Sequence, residues 1–129
     1  MKLEQLRNLL DEARLRWPDN WPGTQIYVEQ CLGLLGHSAA LENNQEISAI
    51  YRCMCCLAEL IEDHGQRLAE EGTEPPYHNR LHTVDTLFSL TALLMGQRHS
   101  WTKKTAEWRR REWIALLAML GHDFLHDGT

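Results

Sequence analysis

Proline and glycine punctuation constrains this chain more than any other feature. Trp17-Pro18, Pro22-Gly23, Gly36, Gly72 and Pro75-Pro76 cut it into pieces of helix length. Within each piece, apolar residues recur at three- and four-residue steps, which places them on one helical face. The first helix is predicted from about Leu3 to Trp17, with Leu6, Leu9, Leu10, Ala13 and Trp17 in its stripe. Pro18 ends it, because the residue before a proline is pushed out of the α region. A second helix is expected from Gln25 to Leu35, stopping at Gly36. In the third, Asn43 is the expected cap, and Glu46 three residues on gives a capping-box start. Ile47, Ile50, Tyr51, Met54, Leu57, Ala58, Ile61 and Leu68 then carry that helix towards Gly72. A fourth begins at about Arg80, with Val84, Leu87, Phe88, Thr91, Leu94 and Met95 inward. A fifth begins at about Lys103, with Trp108, Trp113, Leu116, Leu117 and Leu120 inward.

No alternating apolar run and no Asn-Gly or Asp-Gly hairpin signal is present, so no strand is expected. The predicted fold is all-α, a compact bundle of about five helices. With 129 residues the chain can bury one core but not two, so residues 1–129 are read as a single domain.

Charge and composition exclude several functions. Lys and Arg number 13 against 18 Asp and Glu, a net charge of −5. That balance argues against a general nucleic-acid partner, which needs a basic face. The longest apolar run, Trp113 to Leu120, is too short to span a bilayer, and no leader follows Met1, so no membrane partner is expected. Three of the four cysteines crowd into Cys53, Cys55 and Cys56, unlike a disulfide framework. A reducing cytoplasm is the expected location, with these cysteines as small buried helix residues. Lys103-Lys104 and Arg109-Arg110-Arg111 are read as a solvated face, and the tryptophans at 17, 21, 101, 108 and 113 as packing anchors. His37, at a helix end, is read as structural; His64, beside Glu62 and Asp63, as exposed; His99 is given no role.

The remaining four histidines stand in two clusters. The first is Tyr77-His78-Asn79-Arg80-Leu81-His82-Thr83-Val84-Asp85, and the second is His122-Asp123-Phe124-Leu125-His126-Asp127-Gly128. Asn79 follows the proline-rich stretch as a natural N-cap, which sets His82 in the first helical turn, Asp85 one turn on, and His78 at the helix mouth. His122 and Asp123 directly follow an apolar helix, near the core. An unpaired carboxylate buried there costs several kcal/mol, roughly, and a divalent metal removes that cost. Imidazole and carboxylate suit zinc, iron or manganese.

The pattern His78-Asn79-x-x-His82-x-x-Asp85, followed by His122-Asp123-x-x-His126-x-Gly128, resembles the HD-domain metal-dependent phosphohydrolases. It is most similar to the class I 3′,5′-cyclic-nucleotide phosphodiesterases. The likeness covers residues 77–129; residues 1–76 agree only as helices of suitable length. It implies an all-helical fold and a site holding two divalent ions (Zn, Mg, Mn or Fe). His82, His122 and Asp123 would be ligands, with Asp123 bridging to the second ion. His78 would be the general acid, and His126 would lie beside the bridging hydroxide or the phosphate. Asn79 and Asp85 would support the ligands. The implied partner is a small phosphate-ester substrate, a cyclic nucleotide first among them. A protonated His78 at the positive end of a helix also needs an offsetting negative group, which the sequence does not place.

Thr83 and Asp127 stand where the family has alanine and proline. The family's further aspartate ligand, its glutamine and its aromatic clamp lie downstream of the second motif, and this sequence stops at Thr129. The chain is therefore expected to be the N-terminal part of a longer catalytic domain, poor in metal, with a possible homo-oligomer covering its open end. Two rival expectations are a di-iron oxygenase on the same fold and a truncated, non-catalytic helical module.

Overall fold

The computed structural model describes residues 2–98 and 106–125. It contains α1 (Lys2–Arg16), α2 (Thr24–Leu34), α3 (Ala39–Glu42), α4 (Gln45–Glu70), α5 (Arg80–Arg98) and α6 (Ala106–Gly121), with no strand among the described residues. The five long helices are those the sequence predicts; the single turn α3 is an addition.

Local chemistry sets most boundaries. After α2, Gly36 takes φ 72°, its N–H donates to the Gly33 carbonyl at 3.0 Å, and that of His37 donates to the Leu32 carbonyl at 2.9 Å. Gly72, at φ 73°, closes α4 in the same way, with Thr73 N–H donating to the Leu68 carbonyl at 2.8 Å. Both are Schellman closures, which need the left-handed residue that glycine supplies without strain. The start of α4 corrects the expectation by one residue. Asn44 is the cap, its Oδ1 accepting from Ile47 N–H at 3.1 Å, while Asn43 sits left-handed at φ 46° and terminates α3. Glu46 does not reach back to the cap; it accepts from Arg110 of α6 at 2.6 Å.

The core is built where α4 and α5 pack on α6 and α2 packs on both α4 and α5, with α1 against α5. Val28, Met54, Ala58, Val84, Leu87, Trp113 and Leu116 are wholly buried. Trp108 is also buried; Trp17 and Trp21 are half-buried and meet edge to face at 4.9 Å. Arg109, Arg110 and Arg111 are exposed as expected, whereas His99, Trp101, Lys103 and Lys104 lie outside the described residues. No described helix is long and apolar enough to cross a membrane.

Two expectations are corrected. Cys53 and Cys56 are exposed and Cys55 is half-buried, leaving Cys31 as the buried thiol. The inner face of α4 is carried by Ile47, Met54, Ala58, Ile61 and Gly65, which turns positions 53 and 56 outward. His64 is half-buried, because Phe124 folds back on it with ring centroids 6.2 Å apart. His37 is structural, as the sequence reading has it. It is buried between Glu42 (Nδ1 to Oε1, 3.2 Å) and Glu112 (Nε2 to Oε1, 2.9 Å). Arg98 also donates to Glu112, through Nε at 2.9 Å, and Trp113 Nε1 donates to Glu42 at 2.7 Å. Burial alone would raise the Glu112 pKa, but the bonds and charges of His37 and Arg98 outweigh it and hold the carboxyl below its usual range.

Candidate metal centre

The first histidine cluster is shaped by its cap. Asn79 Oδ1 accepts from the His82 N–H at 2.9 Å, and its Nδ2 donates to the Pro76 carbonyl at 3.2 Å. This fixes His82 in the opening turn of α5, with His78 just outside. The second cluster is shaped by a turn. Phe124 N–H donates to the Gly121 carbonyl at 3.2 Å as α6 ends, and Asp123 swings over the start of α5.

Three imidazoles then meet one carboxylate oxygen. Asp123 Oδ2 lies 2.9 Å from His82 Nε2, 3.0 Å from His78 Nδ1 and 3.4 Å from His122 Nε2. Ligating atoms of His78, His82 and Asp123 all fall within 4.8 Å of one another, so the tightest group contains His78, and His122 joins it through Asp123. Ligands about 2.1 Å from one ion stand about 3.0 Å apart at adjacent octahedral positions and about 3.4 Å apart on a tetrahedron. The separations from Asp123 span that range.

The Nδ1 of His122 lies 2.6 Å from the Met119 carbonyl oxygen, which can only accept, so Nδ1 carries a proton. In the neutral ring, Nε2 is then a lone pair facing a carboxylate oxygen. Either a second proton or a cation must separate them. An Nδ1–H held by a backbone carbonyl with Nε2 free is the usual preparation of a metal-ligating histidine.

Asp123 is held below the usual carboxylate range, first by the bond from His78. Partial burial opposes this, and the charges of His122, His78 and His82 add to it. Asp123 thus puts a negative group beside His78 at the helix mouth.

Asp85 is not in this cluster. It turns to α1, where Oδ2 lies 3.4 Å from Arg14, and its buried Oδ1 has no hydrogen-bond partner among the described residues. One turn beyond His82, it occupies the side of α5 that packs on α1. His126, Asp127 and Gly128 lie outside the described residues. Tyr77, not singled out from the sequence, is exposed, with its ring 4.9 Å from His78 and 4.5 Å from His82. A cavity of about 40 Å³, bounded by His64, Phe124, His78 and Asp123, lies on one side of the cluster. It has room for a few waters at most. Comparison with protein-family models, with curated proteins and with solved structures finds no match to this chain.

Proposed function

We propose that this chain is a metal-dependent phosphohydrolase, most similar to a 3′,5′-cyclic-nucleotide phosphodiesterase. The observation that carries the reading is the convergence of His82 Nε2, His78 Nδ1 and His122 Nε2 on the single oxygen Asp123 Oδ2. In it, His82, His122 and Asp123 hold a divalent ion (Zn, Mg, Mn or Fe). A bound ion of this kind lowers the pKa of its water towards about 7 and offsets the charge of the phosphoryl oxygens. His78 supplies the proton that the leaving ester oxygen needs, a role worth about 10²–10⁴-fold in rate. Asp123 orients that ring through Nδ1 and offsets its charge. The phosphate ester approaches from the side of His122, whose ring is the most exposed of the three.

Metal analysis of the purified protein beside its His82→Ala variant tests the reading, together with hydrolysis of 3′,5′-cyclic nucleotides and of a chromogenic phosphodiester. The expected result is metal in the wild type, depleted in the variant, with Mg- or Mn-supported hydrolysis in step. Equal metal in both removes His82 from the site. Iron with oxygen-dependent turnover favours the di-iron oxygenase. Absence of hydrolysis at every metal concentration leaves a non-catalytic helical module.

A further inference from the structure

We infer that Arg80 is a positioning residue for the histidine cluster, locked in place by a slot at Gly65. The inference rests on the metal-site reading above and concerns how that site is held in register.

Arg80 is the first residue of α5 and lies between His78 and His82, and its side chain is almost wholly buried against α4 and Glu74. Its stem lies flat on the α4 backbone at Gly65. A Cβ at that position would stand 2.7 Å from Arg80 Cγ and closer still to Cδ, so only glycine leaves room. The guanidinium grips Glu74 with two bonds, Nε to Oε2 at 2.9 Å and Nη2 to Oε1 at 3.0 Å. Nη1 donates to Glu62 Oε2, and the group stacks on Trp17 at 5.1 Å. Glu62 is itself fixed, its Oε1 accepting from Trp21 Nε1 at 3.0 Å and from Thr24 N–H and Oγ1 at 2.9 Å each.

One side chain therefore ties the start of α5 to α4, to the loop before it and to the segment ahead of α2. These restraints fix the rotation of the first turn of α5 about its own axis. The ring nitrogen of His82 projects roughly 6 Å from that axis, so a rotation of about 10° moves it by about 1 Å. Coordination tolerates only about 0.2 Å. An anchor two residues from His82 sets whether its Nε2 and Asp123 Oδ2 meet one ion.

Titration with Co²⁺ alone, read by its visible absorption, tests this in the wild type, Arg80→Ala, Gly65→Ala and the double variant. Each single variant is expected to weaken Co²⁺ binding by about tenfold or more. The double variant should bind no more weakly than Arg80→Ala, because the methyl group introduced by Gly65→Ala acts by displacing Arg80. Losses that add in the double variant, or a fall in melting temperature with Co²⁺ affinity unchanged, overturn the proposal. Should either variant fail to fold, Glu74→Gln removes one arm of the grip and is expected to weaken Co²⁺ binding several-fold; unchanged affinity there also overturns it. If the wild type takes up no Co²⁺, the metal-site reading fails separately. The anchor is then judged from ring ¹H–¹⁵N signals of His78 and His82 in metal-free protein at fixed pH. Signals that move in Arg80→Ala or Glu74→Gln support it, and unmoved signals overturn it.

Discussion

His37 and Glu112 meet in the interior with 2.9 Å between Nε2 and Oε1, and neither side chain is more than 2% exposed. Each ring nitrogen of His37 faces a carboxylate oxygen, so both bonds form only when both nitrogens carry protons. Glu112→Ala would leave His37 and Arg98 without their shared acceptor. It is expected to cost about 3–5 kcal/mol, read as a lower urea midpoint with unchanged slope.

Acid should destabilise the fold from the carboxylate side. Burial works against ionisation of Glu62 and Glu112, but Arg80 and Thr24 at the first, and His37 and Arg98 at the second, hold both folded pKa values below the ordinary 4.5. Their stabilising contribution is therefore fully present above that value and lost as pH falls through the folded values. Melting temperature is expected to hold from neutral pH down to about 5 and to drop steeply below 4.5, with a shallower drop in Glu62→Gln.

Metal binding should register as stability. Excess Zn²⁺ or Co²⁺ at about 100 times the dissociation constant adds about 2.7 kcal/mol to the folded state. Thermal melts of the wild type are expected to shift upward accordingly, and those of Asp123→Asn to stay in place, since the amide removes the charge that three imidazoles share.

Thiol reactivity should divide the four cysteines. Burial pushes the Cys31 thiol up to about 12, against a smaller lowering by its contact with Thr91. Cys53 and Cys56 are exposed on α4. With a chromogenic disulfide reagent in native buffer, Cys53 and Cys56 are expected to react first and half-buried Cys55 more slowly. Cys31 should react only after denaturant is added.

Features with local causes are legible in the sequence. The start of α5 follows from Asn79 and from the apolar face running Val84, Leu87, Phe88, Thr91, all four buried as expected. The α4 cap is read one residue early because Asn43 and Asn44 offer the same local chemistry. Which of them caps is decided by α3, whose end requires a left-handed residue. The outward cysteines are readable from helical phase, since Met54 and Ala58 define the inner face and Cys53 and Cys56 fall off it. Arg80 and Glu112 leave no such trace. Isolated charges read as surface, and the groups that make their burial tolerable arrive from α4, from the 74 loop and from the far end of α5. Motif order anticipates the meeting of the two histidine clusters; it does not anticipate the orientation of Asp85, because its partner, Arg14, comes from the first helix.

The antiparallel pair α5 and α6 is fastened by polar contacts at both ends of α5, Arg98 to Glu112 at one and His82 to Asp123 at the other. Neither fastening tolerates being offset. A one-turn slip, about 5.4 Å, would strand a buried carboxylate. The spacing between residues 112 and 123 thus behaves as a fixed gauge. A single inserted codon there would turn one fastening about 100° from its mate, so length changes in this stretch should be far less tolerated than substitutions at its exposed positions, such as Ala118.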